Sequence, residues 1–160
     1  MGLDYAAPVA GDVPTARAPF AKTCAGLRGT GEVPEGVDAL RLQLAAALNA
    51  RGLACVLPGG SAEERERAAR LAGGMAQAVA APPMGIAELA RLLAGARLVV
   101  GVDTGLSHIA AALGKLTFCL FAGSHPELTG VHAGDTAINL GGAGAAPTAS
   151  RVVAAVTERL

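Results

Sequence analysis

The sequence has no tryptophan, one tyrosine and three phenylalanines among 160 residues, which argues against a sandwich core built on paired aromatic rings. Charge of one sign is also missing. Thirteen Lys and Arg balance thirteen Asp and Glu, so there is no basic face of the kind nucleic acid requires and little electrostatic protection against self-association. Cysteine is scarce: Cys24, Cys55 and Cys119 are odd in number, far apart, and each within or beside an apolar stretch. That pattern excludes a disulfide framework and fits reduced, buried thiols. No CxxC or HxxxH spacing links Cys119, His125 and His132, so no metal site is expected. Apolar runs stop well short of the roughly 20 residues that span a bilayer. Residues 1–10 lack the basic start and apolar stretch of a secretory leader. The expectation is a soluble cytoplasmic protein.

What the chain does contain is small apolar residues in quantity, with 52% of positions hydrophobic. Ala, Leu and Val let helices lie close on a sheet, as in a layered α/β domain. A length of 160 residues accommodates one domain with its own core and is short for two. Residues 1–18, with Pro8 and Pro14 and no periodicity, read as an extended arm ahead of a domain over 19–160. Strands are expected over 20–27, 53–57, 76–80, 98–102, 116–121 and 137–140. Helices are expected over 38–51, 62–72, 86–94, 106–113 and 149–160, with Gly52, Gly95 and Gly114 as stops. Ser61 is positioned to cap the second helix, and Glu63 and Glu64 sit in its first turn, where the helix dipole favours negative charge. The stretch from 122 to about 134 reads as a loop. Strands separated by helices of about ten residues make βαβ units, so the fold class is α/β, a single Rossmann-like domain with a parallel sheet flanked by helices.

Ligands of open parallel sheets bind beyond the carboxyl ends of the strands, and two such turns stand out. In VVGVDTGLSHIAAALG (99–114) a buried strand ends in Asp103, Thr104 and Gly105, and a helix begins. Its N-terminus offers unpaired N–H groups and positive dipole to a diphosphate. Gly105 permits close approach, Thr104 adds a hydroxyl donor, Asp103 suits sugar hydroxyls better than phosphate, and His108 lies one turn further on. The plainer alternative makes Asp103 or Thr104 an N-cap and His108 a packed helix residue. In LPGGSAEERERAARLA (57–72) a glycine pair follows a strand, and an acidic residue there suits a ribose. It lacks the lysine of a phosphate-binding P-loop and the GxGxxG of a dinucleotide fold. A tight turn before a solvated helix is the alternative.

Together, L-P-G-G-S-A-E-E-R-E-R-A-A-R-L and P-P-M-G-I-A-E-L-A-R-L-L-A-G-A-R-L-V-V-G-V-D-T-G-L-S-H-I-A-A-A-L-G resemble the C-terminal domain of the lipopolysaccharide heptosyltransferase I enzymes of glycosyltransferase family 9. The likeness runs over about residues 53–130, with D-T-G-L-S-H its most characteristic part. It implies the C-terminal half of a glycosyltransferase B fold, a domain that holds ADP-heptose, or ADP, opposite an N-terminal half that presents the lipid-linked Kdo acceptor. By the same resemblance Glu64 contacts the ribose, Met84 lies beside the adenine or simply fills core, and Asp103 lies near the heptose. Thr104 with Gly105 takes the diphosphate, and Thr30 matches a phosphate-contacting threonine in the first loop.

The family pattern is not kept everywhere. Pro58-Gly59-Gly60 replaces the usual P-W-G, Ser124-His125-Pro126 the usual T-D-P, and Gly31, Glu32, Val33 and Pro34 follow Thr30 where a basic residue is expected. Residues 1–18 then read as the remnant of an interdomain linker. No catalytic residue is expected within this chain, because the general base belongs to the N-terminal half, and the chemistry calls for no cofactor. The chain alone is not expected to catalyse transfer, and its exposed domain interface favours self-association. The alternatives are a truncated, non-catalytic nucleotide-binding or structural remnant, or a domain of another nucleotide-sugar enzyme, which would prefer UDP. The location implied is the cytoplasm, at the inner membrane.

Overall fold

Short buried apolar runs alternating with helix-length segments produce six parallel strands and six helices in the computed structural model of the protein, which describes residues 24–25 and 36–160. In chain order these are β1 (Cys24–Ala25), α1 (Val37–Asn49), β2 (Cys55–Leu57), α2 (Ala62–Gly73), β3 (Ala78–Ala80), α3 (Ile86–Gly95), β4 (Leu98–Val102), α4 (Gly105–Ala112), β5 (Leu116–Phe121), α5 (Pro126–Thr129), β6 (Ala137–Gly141) and α6 (Ala149–Thr157). The strands lie in the order β3-β2-β1-β4-β5-β6, and every pairing is parallel. This is the doubly wound order, with its reversal of direction at β1 and β4. The expected α/β class with a parallel sheet flanked by helices is what the chain adopts.

Successive strand residues point to opposite faces, and both faces are buried. Cys55, Leu57, Leu98, Val100, Phe118 and Leu120 pack with Leu44 and Leu48 of α1 and Val152 and Val156 of α6. Their neighbours turn the other way: Val99 packs with Leu89 and Leu93 of α3 and Ala110 of α4, and Cys119 and Phe121 pack with Ala111 and Val131. That is why the strands read as continuous apolar runs rather than alternating ones. Cys55 and Cys119 are buried free thiols. Burial pushes the Cys119 thiol up to about 11, so it is held protonated and unreactive.

The element ends differ from expectation in instructive ways. α1 stops at Asn49 rather than Arg51, because the Leu53 N–H bonds back to the Leu48 carbonyl across Gly52 at φ 73°. That left-handed step is open to glycine without penalty. α6 ends at Thr157, short of Leu160, and β3 is confined to Ala78–Ala80. The 122–134 loop contains the short helix α5, with Pro126 at its first position. Of the first expected strand, Cys24–Ala25 is present as β1. The arm over 1–18 and Thr30 lie outside the described residues.

α1 and α2 are joined by an ion cluster. Asp38 accepts from Arg41 at 2.8 Å and from Arg67 at 3.1 Å, with Arg41 almost wholly buried. Burial alone would raise the Asp38 carboxyl, but the hydrogen bonds from Arg67 and Arg41 outweigh it and hold the group below its ordinary 3.8. A carboxyl depressed in the folded chain contributes stability that is present above its unfolded value and lost as pH falls through the folded one. Asp38→Asn is therefore expected to lower stability at pH 7, by about 1 kcal/mol given the partial exposure of the pair. Urea unfolding at a series of pH values should show the gap closing as pH drops below 3.8, and a gap independent of pH would contradict the assignment.

Candidate functional site

Because every strand is parallel, the turns that follow β2, β3, β4 and β5 share one edge of the sheet. The order reverses where β1 lies between β2 and β4, which opens a crevice at the carboxyl ends. The turns flanking it carry Glu64, Met84 and the Asp103-Thr104-Gly105 run. Thr30, in the segment after β1, lies outside the described residues.

The turn from β4 into α4 is built by a glycine and a serine. Ser107, 1% exposed, donates its hydroxyl to the Val102 carbonyl at 2.7 Å. A Cβ on Gly101 would run into that same hydroxyl. Gly101 thus lets Ser107 press the first turn of α4 onto the end of β4, which fixes where Asp103 and Thr104 stand. Thr104 occupies the N-cap with extended backbone (φ −145°, ψ 160°), yet its side chain makes no capping bond. Its Oγ1 is buried and has no partner among the described residues, a state that ordinarily costs about 1–3 kcal/mol. Gly105 opens the helix, exposed, with no atom within 4 Å of where a Cβ would stand. Its N–H and that of Leu106 have no intrahelical acceptor. His108, also exposed, lies on the Thr104 side of α4 by helical spacing.

Asp103 is not the cap. Its Oδ2 accepts from Ser124 Oγ at 2.6 Å and from Thr129 Oγ1 at 2.8 Å. Both donors come from the segment after β5, and local spacing gives no hint of either. The only sequence signal is the departure at Ser124, which keeps the hydroxyl of the usual threonine.

The turn after β2 is tighter than the sequence suggests. Glu64 accepts from the N–H groups of Gly60 at 2.6 Å and Ser61 at 3.1 Å, while Ser61 Oγ accepts from the Glu64 N–H. Glu64 is thus a capping-box residue that closes the start of α2, rather than a merely solvated acid. A Cβ at Gly59 would stand 2.7 Å from the Arg65 nitrogen, so the tryptophan usual at this position does not fit this turn. Met84 is half-buried and packs against Val99, Leu106 and Ala110 on one side and Val56 and Leu92 on the other. It fills core and remains partly exposed. Among the described residues no group of three or more His, Cys, Asp or Glu is placed to hold a metal ion, and no helix is long and apolar enough to cross a membrane. A cavity of about 470 Å³ lined by Leu42, Asn49, Met75 and Gln77 lies at the opposite, amino end of the sheet.

The family model for glycosyltransferase family 9 (heptosyltransferase) matches residues 42–155. The chain is 48% identical over 99 residues to lipopolysaccharide heptosyltransferase 1 of Pseudomonas aeruginosa, covering 62% of this chain and 28% of that protein. It is 46% identical over 79 residues to lipopolysaccharide heptosyltransferase 1 of Escherichia coli, covering 49% of this chain and 25% of that one. Among solved structures it resembles E. coli heptosyltransferase WaaC with ADP, at a TM-score of 0.70 and 30% identity over 89% of this chain and 44% of that chain. The same enzyme with ADP-2-deoxy-2-fluoro heptose matches at a TM-score of 0.73 and 31% identity over 87% and 44%. The chain spans about a quarter of the length of these curated relatives and under half of the solved chains.

Two substitutions, with Gly73→Ala in α2 as a control, probe how the Asp103 turn is built. Gly101→Ala is expected to destabilise the fold by about 1–3 kcal/mol through overpacking. Gly73→Ala, where a Cβ meets nothing within 4 Å, should be neutral or stabilising, and urea unfolding reads both. Thr104→Val removes an unpartnered buried hydroxyl and is expected to leave ligand-free stability unchanged or raise it by about 1 kcal/mol. A clear loss of stability would show that the hydroxyl has a protein partner.

Proposed function

This chain belongs to glycosyltransferase family 9, the heptosyltransferases, and on that premise we propose that its carboxyl-edge crevice holds the nucleotide-sugar donor ADP-heptose. The observation that carries the proposal is the Thr104 hydroxyl, buried without a partner at the start of α4. A diphosphate oxygen there satisfies that hydroxyl together with the Gly105 and Leu106 N–H groups, in the positive field of the helix end. The open space beside Gly105 leaves room for the phosphate. Asp103 accepts from heptose hydroxyls, His108 flanks the diphosphate, Met84 offers its thioether to the adenine, and Glu64 takes the ribose. By the family resemblance, Thr30 is assigned a further phosphate contact. Glu64 must share its carboxylate between the ribose and the α2 turn it already caps.

The reaction we propose for the complete enzyme is inverting transfer to the Kdo of a lipid-linked inner-core acceptor. The acceptor oxygen forms a bond to the anomeric carbon as the bond to the diphosphate breaks and ADP departs with the electron pair. Helix dipole and donors at Thr104 and Gly105 stabilise the charge that develops on the leaving group, and the acceptor proton passes to a general base on the domain facing this one. No step needs a metal or cofactor. Such a donor domain works in the cytoplasm, against the inner membrane where the acceptor lies. Ile86 and Leu128, 64% and 81% exposed on helices that follow β3 and β5, are the apolar side chains through which self-association would run.

Calorimetric titration of the purified chain tests the donor site. ADP should bind and UDP should not. Thr104→Ala should weaken ADP by about tenfold, the worth of one hydrogen bond to a charged group. No heat with either nucleotide from a folded chain would refute the donor-site proposal and leave the family scaffold without its ligand. UDP binding more tightly than ADP would assign the site to another nucleotide-sugar enzyme.

A further inference from the structure

Ser124 and Thr129 both donate to one atom, Asp103 Oδ2, at 2.6 and 2.8 Å, with a longer contact of 3.4 Å from Thr129 Oγ1 to the His125 carbonyl. They reach Asp103 from 21 and 26 residues away, and the segment that carries them is held by contacts of its own. Pro126 starts α5, and the Gly130 N–H closes it on the Pro126 carbonyl at 2.9 Å. A Cβ on Gly130 would collide with that carbonyl. The Asn139 side chain of β6 then clamps Val131 from both sides, accepting from its N–H and donating to its carbonyl, each at 3.1 Å. Val131, 2% exposed, is buried against Ala111, Cys119 and Phe121. A segment anchored in this way holds the Thr129 hydroxyl in place with little freedom.

We infer that Ser124 and Thr129 are positioning residues for recognition of the donor's sugar. By saturating Oδ2 they fix the rotation of the Asp103 carboxylate, and they leave Oδ1, which accepts no hydrogen bond among the described residues, to receive a sugar hydroxyl. The inference rests on the donor-site proposal above. It adds that preference for the sugar-bearing nucleotide over the bare one depends on two hydroxyls that do not themselves touch the ligand. Ser124→Thr preserves the donor. Ser124→Ala combined with Thr129→Val removes both donors and frees the carboxylate to turn.

The test is titration of the full chain with ADP and with ADP-heptose, for the native sequence, Asp103→Ala, Ser124→Thr and the Ser124→Ala/Thr129→Val double variant. Native chain and Ser124→Thr are expected to favour ADP-heptose over ADP. The double variant should lose about tenfold of that preference while its affinity for ADP is unchanged, a split that mere loosening of the fold would not produce. A double variant that keeps the preference, while Asp103→Ala abolishes it, overturns the positioning role and leaves the donor site standing. Equal loss of both ligands also overturns it, because the hydroxyls would then be holding the loop rather than the carboxylate. A native chain that binds neither ligand overturns the donor site and this inference with it.

Discussion

A parallel sheet buried on both faces constrains everything else in this molecule. Parallel strands cannot be joined by tight hairpins, so each strand is followed by a crossover helix, and every strand-to-helix turn falls on one edge. Where the order changes direction at β1 and β4, the flanking turns splay apart instead of packing on one another. Glu64, Met84 and Asp103 are separated in sequence yet delivered to that edge by topology alone. The small side chains of the composition serve the same end. Helices rich in Ala and Leu seat closely on both faces, and the core needs only a few large residues, Phe118 and Phe121 among them, both fully buried.

Within that frame the β4–α4 turn is tuned at the level of single atoms. Gly101 has no side chain so that Ser107 can approach, and Ser107 holds the carbonyl of Val102. The cap position is then left chemically incomplete. A threonine there ordinarily returns its hydroxyl to the helix, but Thr104 does not, and the Asp103 carboxylate, an obvious alternative cap, is drawn off by Ser124 and Thr129. Two helices on the other face of the sheet are capped by side chains, α2 by Ser61 and Glu64 and α6 by Thr148. The α4 end, like those of α1 and α5, carries no side-chain cap, but it alone pairs open N–H groups with a buried, unpartnered hydroxyl among the described residues, that of Thr104. Such local departures from stability rules are expected where a ligand completes the structure.

Fold class was legible because it rests on local signals. Gly52 and Gly114 both take the left-handed conformation that ends a helix, Ser61 caps as its identity suggests, and the apolar runs at 98–102 and 116–121 are strands over those very residues. The candidate site was legible only as far as sequence neighbours reach. Asp103, Thr104 and Gly105 are adjacent, so their grouping could be read directly. The partners of Asp103 could not, since a contact spanning 21 residues is set by the register of β4 on β5. Helix α5 was missed because four residues carry too little periodicity to register, although Pro126 at its start is a recognised signal. The role of Ser107 was hidden for a similar reason. A serine on a helix reads as indifferent until the strand beneath it is known to have a glycine opposite.

Charge sets the terms on which such a crevice can take a diphosphate. Two carboxylates beside it, Asp103 before α4 and Glu64 in the first turn of α2, are committed to hydrogen bonds, and Glu63 adds a third next to Glu64. Of the nearby cations, Arg41 and Arg67 on α1 and α2 are tied to Asp38, and Arg41 is buried besides. The residues after Thr30, where the resemblance leads one to expect a basic side chain, are Gly31 and Glu32. Within the described residues a diphosphate would meet the end of α4, equivalent to about half an elementary charge, the donors gathered there, and Arg65 in the first turn of α2, whose guanidinium donates to the Gly60 carbonyl. Donors fix geometry well and neutralise charge poorly, so on the donor-site proposal the α4 end contributes shape and hydrogen-bond pattern more than charge. On the donor-site proposal, the gain from adding a sugar to the nucleotide depends on how rigidly its acceptors are held, which gives the double hydroxyl clamp on Asp103 its weight.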